Sequence, residues 1–229
     1  MRMWLVRHGQ STWNAAGRVQ GQSGEGLSML GRRQAAAAAE WLAETIGTAT
    51  VVSSDLARAH ETAVPIAAAL GADLAVDSAL RERAFGAWEG RTVGDLDAEA
   101  DGLWQQWAAG VDVVAQAGGE SNEAMVARVA PALQRHAEVA RAAGADDIVV
   151  VSHGGVIWHG LHALLGLPAL TLGGVGNASV TTLLFTGGRI WLDAYNSMAH
   201  LASSERTTFT PREFGADDEP AESHARDTH

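Results

Sequence analysis

The chain has 229 residues, 47% of them hydrophobic and 19% charged, with a formal net charge of −11 at pH 7. That size and balance support a buried core without disulfide or metal staples, and the absence of cysteine removes disulfides, thiolate nucleophiles and cysteine-ligated zinc. The acidic balance also argues against a broad nucleic-acid footprint, so arginines gathered in one place would mark a small anionic partner.

Residues 3–6 (MWLV) read as a buried strand, too short for a signal h-region or a membrane span. Ser28 is a candidate N-cap for a helix running to about residue 46, with Trp41, Leu42 and Ile46 inward. Residues 49–56 (ATVVSSDL) form a second strand that ends in polar residues. Residues 57–70 form a helix stopped by Gly71. Residues 73–80 (DLAVDSAL) read as a third strand, and residues 93–109, with Leu96, Leu103, Trp104 and Trp107, as one helix. Residues 122–143 carry Val126, Val129, Leu133, Ala137 and Ala140 at helical spacing, with Pro131 expected to kink them. DIVVVSHGG (147–155) is the strongest buried strand and leads into a helix over 156 to about 165. SVTTLLF and RIWLDAY, separated by Thr186-Gly187-Gly188, predict a β-hairpin.

Strands alternating with helices predict an α/β fold: a three-layer α/β/α sandwich on a mainly parallel sheet, with the hairpin adding an antiparallel edge strand. We expect one domain over residues 1–211 and an acidic, non-periodic tail over 212–229 without chemistry. There is no internal repeat.

The strand ends carry the chemistry. The first strand stops at Arg7-His8-Gly9 and the strongest one at Ser152-His153-Gly154-Gly155. Ligands of open α/β sheets bind beyond the carboxyl ends of the strands. Arg58 follows the second strand and Glu82 the third. Together these residues suit a phosphate ester: guanidinium forks match its oxygens, an imidazole can attack phosphorus, and a carboxylic acid can protonate the leaving alkoxide. Blander readings stand beside this one. Arg7-His8 could be a buried structural pair, and Glu82 could belong to a surface cluster with Arg81, Arg83 and Glu89. Trp13 and Trp88 are candidates for the rim of a substrate entrance, and His60 for its mouth. His159 and His162, three apart, are expected to be a satisfied helix face rather than a metal site; His136, His200, His224 and His229 are expected on the surface. No metal or cofactor is expected.

RHGQSTWN, SSDLARAHET, LRERAFGAWEG and SHGG, in this order, resemble the histidine phosphatase superfamily with the phosphoglycerate-mutase-like fold, over roughly residues 1–204. The resemblance implies His8 as the phosphorylated nucleophile, Arg7, Arg58 and His153 as the rest of the phosphate pocket, and Glu82 as proton donor. It also implies substrate contacts from Asn14, Ser11, Gln20 and the backbone of Gly154. In the segment QSGEGLS this chain lacks an aspartate that many relatives carry. The short segment around QAGGESNEAM is similar to the phosphatase branch, which implies a phosphomonoesterase of a small phosphorylated metabolite. A mutase-type phosphotransferase and a non-catalytic phospho-ligand module are the alternatives. GGVGNASVTTLLF with WLDAYN is similar to the branch acting on glucosylated phosphoglycerate. A cytoplasmic protein with no membrane or nucleic-acid partner is expected, and the apolar hairpin could bury its edge in a homodimer.

Overall fold

The structure, a computed structural model, describes residues 1–168 and 171–207. Six strands form one sheet: β1 (Arg2–Arg7), β2 (Ala49–Ser53), β3 (Leu74–Val76), β4 (Asp147–Ser152), β5 (Val180–Thr186) and β6 (Arg189–Ser197). Their spatial order is β3-β2-β4-β1-β5-β6. β1, β2, β3 and β4 pair in parallel, while β5 pairs antiparallel with both β1 and β6. The expected antiparallel edge is therefore β6 against β5, and the strand running against the rest is β5, one place inside it. The seven α-helices among the described residues are α1 (Thr12–Ala15), α2 (Met29–Thr45), α3 (Ala57–Leu70), α4 (Val93–Asp97), α5 (Leu103–Ala108), α6 (Asn122–Ala142) and α7 (Gly154–Leu165). None is long and apolar enough to cross a membrane. The expected tail, residues 212–229, lies outside the described residues.

Period-two alternation divides the core into two layers. From β1, Met3 and Leu5 join Ile148, Val150 and the inner faces of α6 and α7. Trp4 and Val6 point the other way, into Val149, Val151, α2 and α3. The central strands are covered on both faces, which is why β1 and β4 read as unbroken apolar runs. Asp147 opens β4 in this interior, where Trp4 Nε1 (2.8 Å) and Arg2 Nε (2.9 Å) donate to its carboxylate. A third, smaller cluster gathers Trp88, Leu96, Trp104, Val113 and Val114 beside the carboxyl ends of the strands.

Most expected elements appear within a residue or two. Ser28 caps α2 by accepting from Gly31 N–H, and α3 ends at Gly71. The hairpin turns on Gly187-Gly188, both at positive φ (58° and 71°), the geometry of a two-residue primed turn that glycine adopts freely. Two expectations are corrected. The third strand stops at Val76, because Asp77 accepts from Ala79 N–H (2.8 Å) and turns residues 78–80 into a 3₁₀ helix. The helix expected over 93–109 is two helices, because Asp101 accepts from Leu103 N–H (3.1 Å) and restarts the chain at α5.

Candidate active site

The carboxyl ends of β1, β2 and β4 open into a cavity of about 440 Å³. Arg7, His8, Asn14, Gln20, Arg58, Glu82 and Gly154 all line it. His153 is buried behind them, its ring 5.2 Å from that of His8. Widely separated segments thus converge as the strand ends suggested.

His8 is fixed at both ring nitrogens. Nδ1 lies 2.7 Å from the carbonyl of Gly9, and Arg58 Nε–H approaches Nε2 at 3.2 Å. A carbonyl can only accept and a guanidinium can only donate. The proton therefore sits on Nδ1, and Nε2 carries a lone pair. Burial, then Arg58, then Arg7, hold the His8 pKa well below the ordinary histidine value. The backbone around it is held too: the His8 carbonyl accepts from Asn177 Nδ2 (3.2 Å) and Ala178 N–H (3.1 Å).

Arg58, on the first turn of α3, is only 2% exposed. Besides His8, it donates to the carbonyls of Ser23 (3.1 Å) and Gly21 (2.6 Å), and burial is the main cause of its pKa falling to about 10. Arg7 donates to the carbonyl of Val175. His153 Nε2 meets Ser54 Oγ at 2.9 Å, while its buried Nδ1 has no hydrogen-bond partner among the described residues. Buried polar atoms are seldom left so, which suits a group awaiting a ligand. Burial above all keeps this imidazole neutral as well.

Glu82 lines the same cavity. Its carboxylate accepts from Arg83 N–H (2.9 Å) and from Gly155 N–H (3.1 Å) in the first turn of α7. Arg128, from α6, holds the chain leading to it by donating to the carbonyls of Ala79, Arg81 and Glu82. Glu89, the other nearby acid, instead accepts from Gln22 N–H (3.0 Å), Phe85 N–H (2.9 Å) and the Ser23 hydroxyl, and so ties two loops together. Among the described residues no group of three acidic or histidine side chains could hold a metal ion.

Other expected residues fall differently. Asn14 Oδ1 accepts from Ser11 N–H and Asn177 Nδ2, which turns its own N–H donors away from those partners. Ser11 is fully buried: its hydroxyl caps α1 and donates to Gln20 Oε1 (2.6 Å), so it orients its neighbours and does not line the cavity. His60 and Trp13 are outside the lining, and Trp88 is 2% exposed in the small aromatic cluster. His136 is bonded to Asp77, and His200 stacks on Trp41, so neither is a free surface group. Sequence reasoning missed the supporting roles of Asn177 and Arg128, and the far wall of the cavity, formed by Arg83, Trp104, Trp107, Asn122, Trp158 and His159. Only the doubled histidine and the dense tryptophans hinted at that wall.

The arrangement can place an unprotonated imidazole nitrogen, two guanidiniums and a second imidazole around one oxyanion, with a carboxyl group in the same cavity. Comparison with known proteins points the same way. The model of the histidine phosphatase superfamily (branch 1) matches residues 3–198. A glucosyl-3-phosphoglycerate phosphatase of Mycobacterium tuberculosis (strain ATCC 25618 / H37Rv) is 39% identical over 218 residues, covering 88% of this chain and 97% of the relative. A probable phosphoglycerate mutase of Salmonella paratyphi C (strain RKS4594) is 37% identical over 169 residues, covering 74% and 77%. The solved structure of a mycobacterial glucosyl-3-phosphoglycerate phosphatase complexed with VO3 superposes with a TM-score of 0.76 at 39% identity, covering 86% of this chain and 99% of that one.

Proposed function

The chain belongs to the histidine phosphatase superfamily, branch 1, and is a phosphatase; from that premise we propose that it hydrolyses glucosyl-3-phosphoglycerate through a phosphohistidine on His8. The observation that carries the mechanism is the lone pair on His8 Nε2, held beside Arg58 and His153 in the cavity that Glu82 also lines.

In the first step the phosphoryl group displaces Arg58 Nε–H from the lone pair of Nε2. Nε2 then attacks phosphorus while the P–O ester bond breaks. Protonated Glu82 gives its proton to the departing alkoxide, which leaves as the alcohol. Nδ1–H donating to Gly9 holds the ring in the reactive tautomer throughout. The guanidiniums of Arg7 and Arg58, the imidazole of His153 and the free N–H donors of Asn14 surround the equatorial oxygens, where fixed donors stabilise the transition state most. In the second step water attacks phosphorus, Glu82 takes its proton, the P–N bond breaks and phosphate departs. Water and ester are consumed, and alcohol and phosphate are formed.

The substrate proposal rests on relatives that cover 88% of the chain and are named for glucosyl-3-phosphoglycerate. The mutase reading rests on a curated relative aligned over 74% of the chain and on a solved mutase structure that is only 25% identical. A small metabolite in the cytoplasm, rather than nucleic acid, fits the net charge of −11 and the lack of cysteine. The test is turnover of p-nitrophenyl phosphate and glucosyl-3-phosphoglycerate with a chelator present. We expect turnover to survive the chelator and to fall at least a thousandfold in His8→Ala. Formation of 2-phosphoglycerate from 3-phosphoglycerate and its bisphosphate, outpacing release of phosphate, would instead favour the mutase.

A further inference from the structure

Beyond the phosphate-binding end, the cavity continues along α7 to a wall that the mechanism does not use. A volume of about 440 Å³ belongs to the range of pockets that hold whole small molecules. This wall therefore faces whatever the phosphate is attached to. Its side chains are indoles from Trp104, Trp107 and Trp158, with Asn122 and His159 among them.

The charges on this wall are already matched. Arg83 is 4% exposed and paired with Asp112, and its other nitrogens donate to the Glu120 carbonyl (2.6 Å) and to Asn122 Oδ1 (2.8 Å). A second anionic group would have to compete with Asp112. Neutral donors and acceptors are the groups left over. Arg83 can only donate, so the bond from Arg83 fixes the amide of Asn122 with Oδ1 toward the guanidinium. The Asn122 N–H donors then have no partner among the described residues. His159 makes no hydrogen bond among the described residues either, and the ring of Trp158 holds it edge-on at 4.7 Å. Burial and Arg83 lower its pKa to about 4, so it carries one donor and one acceptor at neutral pH.

We propose that Asn122 and His159, backed by the indoles of Trp107 and Trp158, form a subsite for a neutral hydroxylated ring on the leaving group. Hydroxyls both donate and accept, which suits a neutral imidazole beside an amide donor. The C–H face of a sugar ring suits an indole. Asn122 and His159 act in specificity, not in the chemical step. The inference rests on the phosphatase reading and deepens it by assigning residues to the sugar.

The experiment uses the whole chain and four esters: glucosyl-3-phosphoglycerate and glucose 6-phosphate, which carry the ring, and 3-phosphoglycerate and p-nitrophenyl phosphate, which lack it. The readout is the ratio of kcat/KM for the esters that carry a sugar ring over those that do not. His159→Phe keeps the aromatic contact with Trp158 and removes both hydrogen-bonding atoms. We expect it to lower the ratio at least tenfold, mostly through KM, with Asn122→Ala acting in the same direction and His159→Gln recovering part of the loss. A ratio unchanged in His159→Phe and Asn122→Ala, whether all four esters decline together or none does, overturns the subsite. Wild-type enzyme that does not prefer glucosyl-3-phosphoglycerate to 3-phosphoglycerate overturns the substrate named above. A fall in the glucose 6-phosphate ratio in the same variants would then still support the subsite.

Discussion

His8 and His153 are placed as uncharged imidazoles, and the dominant cause is burial rather than the arginines that flank His8 in space and sequence. Both take a proton near pH 6.5 when unfolded and only well below that when folded. As pH falls through 6.5 the unfolded chain binds more protons, so stability is lost toward acid, by up to ~1.4 kcal/mol per pH unit for each group. Urea unfolding at pH 7, 6 and 5 should show this slope, and His153→Gln should flatten it; level stability across that range contradicts the burial of neutral rings. Proton-detected NMR should find His8 neutral at pH 7 with its proton on Nδ1. Glu82 belongs to the same scale. Glu82→Gln should cost glucosyl-3-phosphoglycerate or glucose 6-phosphate at least tenfold more in kcat/KM, which reports the phosphorylation step alone, than p-nitrophenyl phosphate, because a phenolate leaves with little protonation. Equal losses would remove Glu82 as the general acid.

Among the elements, the start of α2 sets the path of the loop that follows His8. A Cβ on Gly31 would come 2.0 Å from the carbonyl oxygen of Gln10, and one on Gly9 would come 2.5 Å from that of Gly31. Backbone cannot yield as a side-chain tip does. Gly31→Ala should therefore cost ~1–3 kcal/mol in urea unfolding and lower kcat by shifting the loop that carries His8. A neutral substitution would show that α2 stands off that loop. Arg128 plays the matching part for Glu82, bracing the carbonyls of Ala79, Arg81 and Glu82 while paired with Glu120. Removing such a hub leaves partly buried acceptors unpaired, so Arg128→Leu should cost ~2–4 kcal/mol and slow poor leaving groups most, as Glu82→Gln does. A helix-spanning pattern does not show such a residue: along α6 Arg128 is one more charged position.

For the whole molecule, an anion held in the cavity would bridge the ends of β1, β2 and β4, strands separated by most of the chain. Inorganic phosphate should then act as a noncovalent staple, adding about 2.7 kcal/mol at a hundred times its Kd. Urea midpoints measured with rising phosphate should climb in the native chain and stay level in Arg58→Gln. A midpoint that climbs equally in both places the anion elsewhere.

Local chemistry alone determined a good deal here. Apolar runs, caps and glycines marked the strands, most helix boundaries and the hairpin, because those signals act over a few neighbouring residues. The same runs, ending abruptly in Arg7-His8, in Ser54 before Arg58, and in Ser152-His153, marked the strand ends that the fold gathers at one cavity. Position 11 shows the limit: a serine near His8 looked like a ligand contact, and the structure spends its hydroxyl on capping α1 and holding Gln20. Tertiary structure alone decided the support of Glu82 by Arg128 and the far wall where Asn122 and His159 meet three indoles. The reason is physical: a cap or a turn is settled by adjacent backbone groups, whereas a wall is settled by which distant side chains the sheet order brings within a few ångströms of each other.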